Sequence, residues 1–428
     1  MVRNQPGSRA GGRVTSLLLQ LLAILAVARA CGWLLGHFGQ PPVIGEMAAG
    51  LLLGPIVFGA LAPQAQAWLF PAASLPPLSA LATLGLVMFM FVVGLELRAI
   101  EGTRMQLRAA ARTGSLAFLL PLALGLAISP SLYPRFAPPG LAFWPFALFV
   151  AAAISATAFP VLARILKDRN LTQTNPGRLA LGAAAIDDAV VWIFLAAVLA
   201  FGGARGGHGI ALIAGGTVAL VAIAFLLLKP LFARLLRHAH GDAPTHGAFV
   251  AVVLGLVACS AFAEAIGLHA VFGAFVFGAC LPRDDRLAAY FAKAFEPVAM
   301  LVLMPVVFAL AGLNTTPDAF VGAGIGAFAL VLVVAVAGKV IGGALGARWS
   351  GHGWRDSFAV GSLVNARGLM ELVVLKIGLD AGLVGRELFT MLFGMAIVTT
   401  MMTSPMLALC MRGAGAKFPA PDGVDSAG

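Results

Sequence analysis

Apolar runs of roughly 20 residues, the length of chain that crosses a bilayer as an α-helix, recur along the whole sequence. Thirteen segments can be drawn, at 16–36, 41–60, 79–98, 107–129, 141–166, 177–202, 208–236, 246–266, 269–282, 293–313, 318–346, 356–378 and 383–411. The ninth, 269–282, is short for a crossing and is expected to start earlier or to lie tilted. The pattern predicts an all-α polytopic membrane protein, because lipid offers no partner to backbone N–H and C=O groups and a helix satisfies them internally. Composition agrees: of 428 residues, 60% are hydrophobic and 11% charged, against about 25% charged in a soluble domain.

The formal net charge of +10 does not point to nucleic acid, since no basic stripe is interleaved with aromatics. The basic residues lie mostly in short loops, where they set topology. Arg104, Arg108, Arg112, Arg164, Lys167, Arg169 and Arg178 fall on the more basic side; Arg135, Arg205, Lys376 and Arg386 fall on the other. The positive-inside rule then places the C-terminus in the cytoplasm and the N-terminus outside, in the inner (cytoplasmic) membrane. The basic tail of Arg3, Arg9 and Arg13 argues the other way. That tail and Ala28-Arg29-Ala30 also imitate a secretory signal and its cleavage site. The apolar run continues through Cys31, Trp33, Leu34 and Leu35, past the roughly 7–15 residues of a signal core, so the first segment is expected to be retained. The domain plan is a tail at 1–15, a transmembrane domain at 16–411 and a short tail at 412–428 that leaves no room for a regulatory domain. Cys31, Cys259, Cys280 and Cys410 lack metal-ligand spacing and read as small buried hydrophobes. No cofactor is expected.

Two stretches repeat. Val43-Ile44-Gly45-Glu46-Met47-Ala48-Ala49-Gly50 is followed by Pro55; Val271-Phe272-Gly273-Ala274-Phe275-Val276-Phe277-Gly278 is followed by Pro282. The next segments end Val93-Gly94-Leu95 and Ala311-Gly312-Leu313. The copies, about 41–202 and 269–411, start an odd number of segments apart, so they face opposite ways across the membrane. Inverted repeats of this kind build many secondary transporters, with substrate bound near the midplane where paired helices are broken. The fifth and twelfth segments carry suitable interruptions: Ser155-Ala156-Thr157-Ala158-Phe159-Pro160, where proline removes a backbone donor, and Gly361-Ser362-Leu363-Val364-Asn365-Ala366-Arg367-Gly368.

Ionisable residues inside spans are functional candidates by default. Here they are Glu46, Asp187, Asp188, Glu264, Lys339, Arg367 and Glu371. Adjacent helical positions point about 100° apart, so of Asp187 and Asp188 one can face a cavity while the other pairs with a cation on another helix. A carboxylate withdrawn from water can hold a proton or a metal cation, not both, and that competition suffices for exchange. A hard cation takes oxygen ligands, which the Thr157 hydroxyl and broken-helix carbonyls could supply. Asp187 is the expected partner of Lys339; the alternative is a lysine snorkelling to the interface. Arg367 and Glu371, four apart on one face, suit a lock that holds the broken helix together with Asn365, with direct ion binding the alternative. Glu46 and Glu264 are interfacial charges or part of an ion path.

These stretches, with Gln40-Pro41-Pro42-Val43-Ile44-Gly45-Glu46, Gly94-Leu95-Glu96-Leu97, Gly267-Leu268-His269-Ala270-Val271-Phe272-Gly273-Ala274-Phe275 and Asn365-Ala366-Arg367-Gly368-Leu369-Met370-Glu371-Leu372-Val373, resemble the monovalent cation:proton antiporter-2 family. Within it they are similar to the plant cation/proton exchangers and their bacterial relatives. The resemblance implies the fold of bacterial sodium/proton antiporters: a dimerisation domain beside a six-helix core, a homodimer, and elevator-like alternating access. It implies that Asp188 binds the ion, that Asp187 pairs with Lys339, that Thr157 lines the site, and that two aspartates accompany electrogenic exchange of Na+ or K+ for protons; Ser155 is counted with Asn365, Arg367 and Glu371 in the structural or gating network. Two other readings stay on the table: a sodium-coupled organic-anion symporter on the same fold, and a gated potassium efflux system. An intramembrane aspartyl protease is excluded, because adjacent carboxylates cannot converge on one water from two helices.

Overall fold

The computed structural model describes residues 7–96, 104–201, 210–236, 244–282 and 284–411, and among them there is no β-strand. The tail at 412–428 and Arg3, Arg9 and Arg13 lie outside the described side chains. In chain order the helices are α1 (Gly7–His37), α2 (Pro42–Leu53), α3 (Phe58–Leu61), α4 (Pro63–Leu69), α5 (Leu75–Glu96), α6 (Arg104–Phe136), α7 (Phe143–Ser155), α8 (Phe159–Asp168), α9 (Asn175–Phe201), α10 (Ile210–Ala222), α11 (Lys229–Leu236), α12 (His246–Ala265), α13 (Ala270–Cys280), α14 (Asp285–Val298), α15 (Met304–Leu313), α16 (Gly324–Trp349), α17 (Trp354–Val364), α18 (Leu369–Asp380) and α19 (Arg386–Met411). Wide π-helical turns join α10 to α11 at Ile223–Leu228 and α14 to α15 at Ala299–Leu303.

Among the described residues, 11 helices or joined helices are long and apolar enough to cross a membrane. The chain is a multi-pass membrane protein. Two of the thirteen expected segments differ from a simple span. The one at 269–282 does not start earlier: α13 has 11 residues and begins at Ala270, where the Glu264 carboxylate and the His269 ring accept its first N–H groups. The one at 356–378 is split into α17 and α18, neither long enough alone.

The chain forms two compact units. The first comprises the described residues within Met1–Cys31, Glu46–Ala99 and Gly203–Thr316. Here α5 packs against α13, α14 and α15. Lipid removes most of the hydrophobic drive between helices, so close backbone approach through small residues matters most. Any Cβ at Gly50 would collide with the Phe308 carbonyl, and one at Gly312 with the Gly50 carbonyl. Gly94 and Gly278 meet the same way, through the carbonyls of Phe275 and Phe91. A ring cluster of Phe91, Phe249, Phe277, Phe291 and Phe295 fills the space beside them, with Phe91 and Phe277 stacked at 5.9 Å. The Ala28-Arg29-Ala30 stretch sits inside α1, where Arg29 donates to the Leu301 carbonyl.

The second unit comprises the described residues within Gly32–Gly45, Ile100–Gly202 and Pro317–Gly428. Its axis is the pair α6 and α16. Gly338, Gly342 and Gly346 repeat every fourth residue, one row on a helix face, and lie against Pro121, Leu116 and Thr113 of α6. Gly343, on another face of α16, meets Gly361 of α17. A neighbouring face of α6 carries Gly114 against Ala183 of α9 and Gly125 against Ala151 of α7. Both expected interruptions lie in this unit. Residues 156–158 separate α7 from α8, whose first turn contains Pro160, a position where the missing N–H costs nothing. Residues 365–368 separate α17 from α18, ending at Gly368 with φ 156° and ψ −123°, a conformation side-chain-bearing residues rarely adopt. The two unwound stretches bond to each other: the Ala158 N–H donates to the Ala366 carbonyl at 3.2 Å.

Candidate functional site

Breaking two helices inside one unit creates four helix ends away from water. Helix C-termini carry partial negative charge and N-termini partial positive charge, and each must find a partner in the protein. At the C-terminal end of α7, the Arg367 guanidinium donates to the Ala153 carbonyl at 3.0 Å and to the Ile154 carbonyl. At the end of α17, the Thr157 hydroxyl reaches the Val364 carbonyl at 3.4 Å. Opposite charges meet the N-terminal ends: the Asp188 carboxylate faces the Phe159 N–H that opens α8, and Glu371 lies in the first turn of α18.

Asp187 and Asp188, side by side on α9, separate as helical geometry requires. Asp187 Oδ2 takes the Lys339 ammonium of α16 at 3.0 Å. The same ammonium donates to Thr157 Oγ1 at 2.6 Å. Lys339 is fully buried, so it does not snorkel. Asp188 points elsewhere. It is 2% exposed, and its Oδ2 has no hydrogen-bond partner among the described residues. Thr157 is thus shared: it accepts from the lysine while donating across to the second broken helix.

Arg367 and Glu371 pair at 3.3 Å, both fully buried. The guanidinium also spans two carbonyls of α7, which joins the two interruptions through a side chain as well as through backbone. Asn365 donates to the Thr399 carbonyl of α19 at 3.2 Å. Ser155 bonds back within α7, to the Ala151 carbonyl at 2.7 Å. Asp187, Asp188, Thr157, Lys339, Asn365, Arg367, Glu371 and Ser155 therefore all belong to the second unit. Glu46 and Glu264 belong to the first, and Glu264 is an exposed helix cap whose Oε2 accepts the Ala270 N–H at 2.9 Å.

Sequence reasoning missed α19. Thr399, Thr400, Thr403 and Ser404 are all buried there. The Arg367 N–H donates to Thr400 Oγ1 at 2.8 Å, and that hydroxyl lies 2.7 Å from the Arg367 carbonyl and 2.8 Å from the Ala396 carbonyl. The available signal was a hydroxyl run inside an otherwise apolar segment.

Comparison with known proteins adds four findings. The family model described as "Sodium/hydrogen exchanger, transmembrane" matches residues 22–411. The Na(+)/H(+) antiporter NhaS4 of Synechocystis is 36% identical over 394 residues, covering 91% of this chain and 96% of that protein. K(+)/H(+) antiporter 1 of Saccharomyces cerevisiae is 33% identical over 92% of this chain, which spans only 46% of the yeast protein. Among solved structures, the sodium proton antiporter MjNhaP1 from Methanocaldococcus jannaschii aligns with TM-score 0.65 at 15% identity, covering 94% of this chain and 100% of that one. At that identity the likeness speaks for the fold.

Proposed function

Since the chain belongs to the sodium/hydrogen exchanger family, we propose that it exchanges a monovalent cation, Na+ or K+, for protons, the two competing for Asp188. The carrying observation is the division of labour on α9: Asp187 is paired with Lys339, while the buried Asp188 keeps an oxygen with no hydrogen-bond partner among the described residues. A carboxylate in that state binds a proton or a small cation, and binding one excludes the other. Unwound backbone at 156–158 and 365–368 and the Thr157 hydroxyl are the oxygen sources a hard cation needs. Relatives named as Na(+)/H(+) and K(+)/H(+) antiporters support the reaction class and leave both cations open.

The transport cycle follows from this competition. With Asp188 ionised the site loads a cation on one side; on the other, protonation releases it. All the site residues lie in one unit, which supports an elevator-like movement of that unit as the means of alternating access. An inverted repeat is supported by the glycine contacts: the two pairings, Gly50 with Gly312 and Gly278 with Gly94, exchange when the copies are exchanged. The reading extends to a homodimer and to a cytoplasmic C-terminus.

The test is transport in liposomes. Protein reconstituted with a pH dye inside should move protons when lithium, sodium, potassium or rubidium is added, and Asp188→Asn should abolish the signal with every cation. Undiminished transport by that variant would falsify the assignment of Asp188. A wild-type protein that moves none of these cations against protons sinks the exchange reading itself.

A further inference from the structure

The two interruptions are held by the same device made from different chemistry. In the first, the chain leaves α7, crosses at Ala158 and re-enters a helix at Phe159, whose N–H faces the Asp188 carboxylate of α9. In the second, it leaves α17, crosses at Ala366, and the N–H of the next residue, Arg367, is bound by Thr400 of α19. Asp188 has Asp187 before it; Thr400 has Thr399, whose carbonyl accepts from Asn365. Within the repeat reading, α9 and α19 close the two copies. The pair Thr399–Thr400 thus stands where the pair Asp187–Asp188 stands, with hydroxyls in place of carboxylates.

We infer that Thr400 is a positioning residue for Asp188, acting through the crossing of the two unwound stretches. Its hydroxyl accepts the Arg367 N–H and reaches the Arg367 carbonyl, so one side chain fixes both backbone groups of that residue. The preceding carbonyl, on Ala366, holds the Ala158 N–H, and the next N–H after that, on Phe159, is the one aimed at Asp188. Thr400 is therefore two peptide links and two hydrogen bonds from the Phe159 N–H that faces the carboxylate. It also anchors the backbone of Arg367, whose guanidinium holds Ala153 and Ile154 at the other edge of the first interruption. Thr400 can also bond back to its own helix, to the Ala396 carbonyl at 2.8 Å; the alternative is a threonine that does only that, as Thr403 does to the Thr399 carbonyl at 3.1 Å.

Thr403 supplies the control. Thr400→Val should raise the half-saturating cation concentration about tenfold, the worth of one lost hydrogen bond to a charged-site support, with the maximal rate largely kept. Thr400→Ser should restore it, and Thr403→Val should leave it unchanged. In parallel, hydrogen–deuterium exchange of the peptide covering 156–168 should speed up in Thr400→Val and stay at the wild-type rate in Thr400→Ser and Thr403→Val. If Thr400→Val does not fold, Thr400→Cys, with a weak donor of similar size, should show the same two changes relative to Thr400→Ser. The inference rests on the exchange reading only for the cation readout. A wild-type protein inert in liposomes defeats that reading, while the deuterium arm still decides the positioning. Equal behaviour of the Thr400 and Thr403 variants in that arm overturns the inference.

Discussion

Replacing Lys339 by Met would remove the one cation bound to Asp187. At 3.0 Å, the attraction between the two charges is about 5 kcal/mol for an effective dielectric of 20. Most of that offsets the cost of taking both ions out of water. Removing one partner alone forfeits the attraction and keeps the other ion's desolvation, which typically destabilises by about 3–5 kcal/mol. The Met variant also leaves Thr157 without its 2.6 Å donor. Asp187→Asn strands the lysine in the same way, with Thr157 as its remaining listener. The double variant Lys339→Met/Asp187→Asn buries no charge at this point and should sit close to the wild type. The expected coupling energy, the sum of the two single losses, is about 6 kcal/mol or more, far beyond the few tenths seen for independent sites. Thermal unfolding in detergent, at one fixed scan rate because unfolding of such proteins is seldom reversible, reads this out. Each single variant should melt about 5–10 °C lower, taking about 2 °C per kcal/mol for a large chain, and the double variant should recover most of the loss. A double variant that melts lower than both singles, by the sum of their effects, refutes the pair as a coupled unit.

Two further outcomes follow from the same contacts. Arg367→Lys keeps the charge but not the planar fork that reaches two carbonyls and Glu371 together, so it should unfold several degrees earlier than wild type; an unchanged melting temperature would show that charge alone suffices. Gly342→Val should prevent stable folding, because its Cβ would stand 2.5 Å from the Leu116 carbonyl oxygen, whereas Gly326→Ala on the same helix meets nothing within 4 Å and should change stability by less than about 0.5 kcal/mol. Size-exclusion profiles of the two purified variants distinguish these results.

What the sequence revealed depended on cost. A carboxylate or ammonium inside a span is expensive enough to announce itself, so Asp187, Asp188, Lys339, Arg367 and Glu371 could be singled out one by one. The pairing of Lys339 with Asp187 could be anticipated for the same reason. Pro160 and the small polar run 361–368 marked both interruptions. Thr399 and Thr400 gave no comparable sign, because a hydroxyl in a membrane helix can always bond to the carbonyl one turn back and so carries little penalty. Glycines announced close packing but not its direction: the row Gly338, Gly342 and Gly346 could face any neighbour, and only the fold shows that it faces α6. The segment at 269–282 reads as short from its sequence; of the two ways to complete a crossing, an earlier start fails, because the helix begins only where Glu264 caps it. The broad π turns at Ile223–Leu228 and Ala299–Leu303 leave no mark in hydropathy at all.

The bond between Ala158 and Ala366, and the grip of Arg367 on Ala153 across 214 residues of chain, set a timetable for biogenesis. At about 5–20 residues per second, the ribosome reaches the second interruption roughly 10–40 s after it has finished the first. Throughout that interval the open carbonyls of 153 and 154 and the N–H of 158 have no partner in the nascent chain. They must stay hydrated, or coil into a provisional helix that is later undone. The crossing therefore cannot close before residue 366 has been made, and a chain truncated before it would leave polar backbone at residues 153, 154 and 158 without these partners.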